Sequence, residues 1–212
     1  MKEKTNDKNR VEKAVVKHMR MLTMLLILVL AMAAPVNAKG GNRFLTATRI
    51  TKTVLDKLDL ENIDKVMIVA HPDDEMLWGG MHLIQDDYLV VCLTNANTRR
   101  YGKTRMREFK KVMEQTNDIG LMLNYPDYSS TGGIDNWTSC SKRMQEDLNT
   151  LLTYKNWKEV VTHNKQGEYG HKHHKKTHRF VTKAFKKAGL TGATLKYFGK
   201  YHKKGYKKAS VY

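Results

Sequence analysis

The chain has 212 residues, 41% hydrophobic and 28% charged, which suits one domain with a proper core, is short for two, and excludes wholesale disorder. The formal net charge of +17 is uneven: residues 1–38 hold 7 basic and 3 acidic side chains, residues 39–164 hold 17 of each, and residues 165–212 hold 14 basic and 1 acidic, Glu168. Two cysteines, Cys92 and Cys140, with no CxxC or Cys/His finger spacing, exclude a disulfide framework and a zinc finger.

Taken in chain order, Met21–Ala34 is a run of about 14 apolar residues, short of the ~20 that span a bilayer. Lys13, Lys17 and Arg20 precede it, and Pro35-Val36-Asn37-Ala38 follows with small residues at the cleavage positions. The segment resembles a signal peptide cut after Ala38, with an uncleaved membrane anchor as the alternative. Either reading places the domain in a secreted or lumenal space. Asn136-Trp137-Thr138 is then a glycosylation sequon.

From residue 39 onward, helix and strand patterns alternate. A helix is predicted over Thr46–Leu58, a strand over Lys65–Ala70, a helix over Glu75–Gln85, and a buried strand over Tyr88–Leu93, in which Cys92 reads as a small hydrophobe. Thr104–Ile119 has helical spacing with Gly120 as its C-cap, and a short strand follows at Leu121–Asn124. A loop rich in Gly, Ser and Asp runs to Asn136, and Ser139 caps a helix reaching about Tyr154. Glu159–Thr162 is a strand, Lys172–Ala188 a basic helix and Leu195–Phe198 a last strand. This alternation predicts a single α/β domain over residues 39–198, Rossmann-like, with a mostly parallel sheet and helices on both faces. A basic tail, 199–212, follows. In such folds ligands sit outside the carboxyl ends of the strands.

Two polar blocks fall at such ends. His71-Pro72-Asp73-Asp74-Glu75 follows the strand KVMIVA; imidazole and carboxylate make a ligand pair for zinc, and a second carboxylate beside them can serve as base. The three acids also crowd a helix N-terminus, where the dipole eases their charge. The second block, Thr162 to His174, follows EVVT, and five of the nine histidines lie between 163 and 178. His171 and His174 are three residues apart and share a face if the turn is helical.

Together, AHPDDE and GEYGHxxH resemble the LmbE-like family of N-acetylglucosaminyl deacetylases, which includes the GlcNAc-phosphatidylinositol de-N-acetylases. The resemblance covers roughly residues 62–190, and Arg105-Met106-Arg107-Glu108 matches the family's R-x-x-E element. It implies one zinc ion per chain held by His71, Asp74 and His174, with Asp73 as general base. It also implies that His171 is the acid or, protonated, the group that stabilises the oxyanion, and that Arg105 and Asp127 contact substrate. His173, beside His174, is a competing ligand on sequence alone. The implied substrate is an N-acetylated sugar or glycoconjugate; no protein partner is inferred. Another small amide is the alternative substrate. A reading of a different class is a basic binding protein, in which the Lys-rich C-terminal region meets nucleic acid, anionic glycan or a membrane surface.

Overall fold

The computed structural model describes residues 41–95 and 102–201. The predicted leader at 1–38 and all but the first residues of the tail lie outside the described residues.

The strands are β1 (Phe44–Ala47), β2 (Lys65–Val69), β3 (Leu89–Thr94), β4 (Ile119–Tyr125), β5 (Glu159–Thr162) and β6 (Thr194–Tyr197). All pairings are parallel, in the order β1-β4-β3-β2-β5-β6. The helices are α1 (Lys52–Leu55), α2 (Asp74–Leu77), α3 (Gly80–Gln85), α4 (Gly102–Thr116), α5 (Ser141–Thr153) and α6 (Lys172–Ala188).

Strands buried on both faces carry continuous apolar runs, and every residue of β3 (LVVCLT) is buried. Alternate side chains divide the core between the two faces. Val66 and Ile68 of β2 join Leu148 and Leu151 of α5 and Val181 and Ala184 of α6. Met67 and Val69 face the other way, onto Leu83 of α3 and Phe109 and Met113 of α4. These are the helix-covered faces of the predicted α/β sheet.

Local expectations needed correction in four places, the simplest being that Cys140 and not Ser139 occupies the N-cap of α5. The helix predicted from Thr46 is a four-residue edge strand, then Thr51 capping α1 with its hydroxyl on the Val54 N–H at 3.2 Å. The strand is specified by pairing across 76 residues of chain, Phe44 opposite Gly120, which helical spacing in FLTA cannot show. Gly120 is therefore inside β4 rather than capping α4. The helix predicted over Glu75–Gln85 breaks at Trp78-Gly79, where Gly79 lies so close to Met67 of β2 that an added Cβ would stand 2.6 Å from its methyl. The bounds of β5 and α6 match the prediction, and Gly189 closes α6 with φ of 62°.

The strand order reverses at β2, which has the next strand in sequence on one side and β5 on the other. Both polar blocks leave from this switch point, where open α/β sheets bind ligands.

Candidate metal centre

β2 ends at Val69, and Ala70 donates its N–H to His163 Nε2 at 3.0 Å, joining the two blocks. His71 then turns the chain into α2, its own N–H donating to Asp74 Oδ2 at 2.9 Å. Asp73 takes φ of 141°, an unusual conformation for a side chain-bearing residue that costs about 1–3 kcal/mol. Its N–H donates to Glu75 Oε2 at 2.9 Å, and its carbonyl accepts from Met76 and Leu77. Glu75, buried beneath, thus holds the turn; burial pushes its carboxyl up to about 7 against the Asp73 N–H it accepts.

Three groups converge here. His71 Nδ1 lies 3.2 Å from Asp74 Oδ2, His174 Nε2 lies 3.3 Å from Asp74 Oδ1, and the two nitrogens are 3.3 Å apart. A tetrahedral zinc with ~2.0–2.1 Å bonds sets its ligand atoms about 3.3–3.4 Å apart. Trp78 Nε1 donates to Asp74 Oδ1 at 3.2 Å. Burial opposes the charge on Asp74, yet the imidazoles of His163, His174 and His71 hold its carboxyl well below the usual carboxylate range.

Hydrogen bonds behind the imidazoles aim their lone pairs. His174 Nδ1 donates to Glu168 Oε2 at 2.5 Å, which leaves Nε2 for the metal. His173 Nε2 donates to the Asp135 carbonyl at 2.6 Å, so its Nδ1 accepts from His71 Nε2 at 3.0 Å, and His71 Nδ1 is the nitrogen left facing Asp74 and His174, where a bound metal would displace its proton. Such backing fixes tautomer and direction in metal sites. Both nitrogens of His173 are thus engaged, and with His71 and Asp127 this residue also forms a second group able to hold a metal ion, beside the groups that contain His174. The His173 ring is stacked on Trp137, 3.9 Å between centroids and 5° between planes. Trp137 is anchored in turn by Nε1 on the Pro126 carbonyl at 2.6 Å.

The loop that supplies Glu168 is tightly wound. Asn164 Oδ1 accepts from the Gln166 and Glu168 N–H groups at 2.9 and 3.2 Å. Gly167 has φ of 70°, and a Cβ there would stand 2.7 Å from the His171 carbonyl oxygen. Glu168 reaches both His163 and His174 from this turn, and its Oε1 accepts from the Asn164 N–H at 2.8 Å.

The pocket above encloses about 680 Å³. Of the seven residues singled out in the sequence, His71, Asp73, Asp74, Arg105, Asp127 and His171 line it, and His174 is buried beneath. Arg105 Nη1 contacts Asp73 Oδ2 at 3.0 Å, so the guanidinium meets the carboxylate assigned as base. Burial and the charge of Asp74 push Asp73 upward, and Arg105 opposes them. Asp127 Oδ1 lies 3.5 Å from His71 Nε2 and 3.6 Å from His173 Nδ1, among the imidazoles. Burial would lower His71, but Asp127 and Asp74 outweigh it and raise the imidazole to about 9.

His171 caps α6 with its ring 4.7 Å from that of His71 and 4.6 Å from that of His174. Its Nδ1 is buried and has no hydrogen-bond partner among the described residues. Burial first, and then the neighbouring imidazoles, push His171 down to about 4. That direction favours a neutral ring, where the resemblance implied a protonated one. Trp78 and Tyr169 stack at 6.0 Å and 29° to form an aromatic wall. The histidine-and-carboxylate triangle, its backing hydrogen bonds and the orphaned His171 Nδ1 all fit a zinc-type ion.

Sequence reasoning missed Glu75, Trp137, His163 and Glu168 as parts of the centre. Glu168 and His163 lay inside the quoted block, but nothing in their spacing marks them as the support for His174.

A family model described as PIG-L, GlcNAc-PI de-N-acetylase, matches residues 66–185. An uncharacterized protein of Acanthamoeba polyphaga mimivirus is 36% identical over 125 residues. That match takes in 53% of this chain and 53% of the relative, so the chain spans about half the relative's length. Among solved structures, the N,N'-diacetylchitobiose deacetylase from Pyrococcus horikoshii, complexed with its inhibitor MPG, superposes with a TM-score of 0.51 at 16% identity, covering 67% of this chain and 62% of that one. At that identity the likeness establishes the fold. The family match spans more than half of the chain and takes in both ligand blocks, and the chain belongs to the PIG-L family of GlcNAc-PI de-N-acetylases.

Proposed function

We propose that the protein is a metal-dependent N-deacetylase that hydrolyses the acetamide of an N-acetylglucosamine-type sugar or glycoconjugate. The observation that carries this reading is the convergence of His71, Asp74 and His174 at 3.2–3.3 Å under a pocket lined by Asp73. Family membership supports the choice of reaction.

His71, Asp74 and His174 would hold the metal, leaving a coordination position open. Once bound, a zinc-type ion supplies Lewis acidity toward the carbonyl and lowers the pKa of water toward ~7. Asp73 is the general base, taking a proton from the attacking water and returning it to the departing amine. Arg105, at 3.0 Å, keeps that carboxylate ionised and directed. His171 offers a hydrogen bond to the developing oxyanion, the kind of preorganised donor that removes ~3–4 kcal/mol of barrier. Trp78 and Tyr169 present aromatic surface to the apolar face of a sugar ring.

The test is acetate release from a panel holding N-acetylglucosamine, its simple glycosides and conjugates, and unrelated N-acetyl amides. Release confined to the amino sugars is expected. Release only from unrelated amides would move the site to another small-amide substrate.

A further inference from the structure

Most of the cations of α6 lie away from the metal pocket. A second cleft, of about 490 Å³, is lined by Lys165 from the loop after β5 and by Lys175, Arg179, Lys183 and Lys186 of α6. It shares no lining residue with the metal pocket. The four helix positions follow i, i+4, i+8 and i+11, a stripe about 16 Å long at 1.5 Å per residue. Its floor is fixed from below. His178 donates Nδ1–H to the His163 carbonyl at 3.0 Å, its ring lies 4.7 Å from that of Tyr197, and the Thr182 hydroxyl is 3.1 Å from the Tyr197 hydroxyl.

Among the described residues none of the five cations pairs with a carboxylate. The single acid of residues 165–212, Glu168, is buried and committed to His163 and His174. Like charges spaced four apart on a helix destabilise it by a few tenths of a kcal/mol per pair. Packing offers no compensation, because all five side chains are exposed. An anion in the cleft would supply it.

The surroundings narrow the class of anion. The volume lies in the range of small-molecule sites. No aromatic ring except that of His178 lines the cleft, so it lacks a stacking platform for nucleic-acid bases. No large apolar side chain lines the cleft, and the exposed cluster Met76, Leu77, Met81 and Ile84 belongs to α2 and α3, so the cleft has no anchor for a lipid surface. Lysine and arginine together answer phosphate, and the stripe is too long for one such group.

We propose that this cleft binds a small polyanion carrying two or more phosphate groups, independently of the metal pocket. The test is calorimetric titration of the full chain with inorganic tripolyphosphate, pyrophosphate and orthophosphate at constant ionic strength. One tripolyphosphate per chain is expected, with affinity falling as phosphates are removed. Arg179→Gln with Lys183→Gln, both exposed, should weaken tripolyphosphate at least tenfold, since each removes a charged hydrogen-bond donor to phosphate. Lys110→Gln with Lys111→Gln, the same charge loss on α4, should change it less than twofold. An unchanged affinity in the first pair would place binding elsewhere, at the metal or the basic tail, and overturn the proposal. Equal losses in both pairs would reduce it to non-specific attraction. Displacement by a single-stranded oligonucleotide at a lower phosphate concentration would assign the face to nucleic acid and overturn it too.

Discussion

Replacing Glu168 by Gln tests how the site aims its ligands. The carboxylate, 2% exposed, accepts three N–H groups: His163 and His174 at Oε2, 2.9 and 2.5 Å away, and Asn164 at Oε1, 2.8 Å away. An amide has one acceptor oxygen and one donor nitrogen. In either orientation its NH₂ group meets an N–H, so one donor is left facing another. With the NH₂ toward Asn164, that residue's N–H loses its acceptor and the turn that aims the side chain loosens. With the NH₂ toward the histidines, the direct relief is for His174 to shift its proton from Nδ1 to Nε2, the atom 3.3 Å from both His71 Nδ1 and Asp74 Oδ1. The lone pair needed by a metal is then lost. Outer ligands of this kind are worth about 10–100-fold in metal affinity, or ~1.4–2.8 kcal/mol. Competition with a chromogenic chelator measures the zinc dissociation constant, and far-UV dichroism checks that the fold survives. A Glu168→Gln protein that is folded and binds zinc within twofold of wild type would refute the reasoning.

Other substitutions address separate links. Asp73→Asn should keep the metal and lose about 10²–10⁴ in turnover, because asparagine tolerates the positive φ but cannot take a proton; near-normal turnover would remove Asp73 as base. His173→Phe retains a ring against Trp137 but removes the acceptor for His71 Nε2, so zinc affinity should fall about tenfold or more by the same chelator assay. A variant binding as tightly as wild type would show that the His71 tautomer is set by other means. Asp118, 1% exposed, is raised by burial to about 6, against bonds from Thr116 and the Tyr88 N–H. A carboxyl with a raised folded pKa stabilises the fold fully below its unfolded pKa and loses that contribution as pH rises through the folded value. The wild type should therefore lose about 2 kcal/mol relative to Asp118→Asn between pH 4 and 6, of about 3 kcal/mol lost over the whole transition. Urea melts across that range giving parallel pH profiles would contradict it.

The reach of the sequence differed between local and distant contacts. HPDDE and the His-rich block were legible because each follows a short β-branched run, and parallel α/β sheets gather such ends at the switch point. The bounds of α6 were legible because its apolar positions repeat at helical spacing up to Gly189. The backing of the ligands was not, since it depends on atoms brought from far along the chain. Trp137 sits in what reads as a loop sequon, yet it packs on His173, and the Asp135 carbonyl beside it sets which His173 nitrogen is protonated. The β1 strand was missed for the same reason, its four residues being defined by their partner β4. His171 illustrates a different limit: the motif placed it at the site, but its charge state depends on burial and on three neighbouring imidazoles.

The most direct test of the central claim is acetate release titrated against added zinc, on chelator-stripped protein, with an N-acetylglucosamine glycoside. Release should rise linearly with metal and break at one ion per chain, and His174→Ala should abolish both the metal and the release. Acetate release that persists unchanged in the stripped protein would contradict the account at its base.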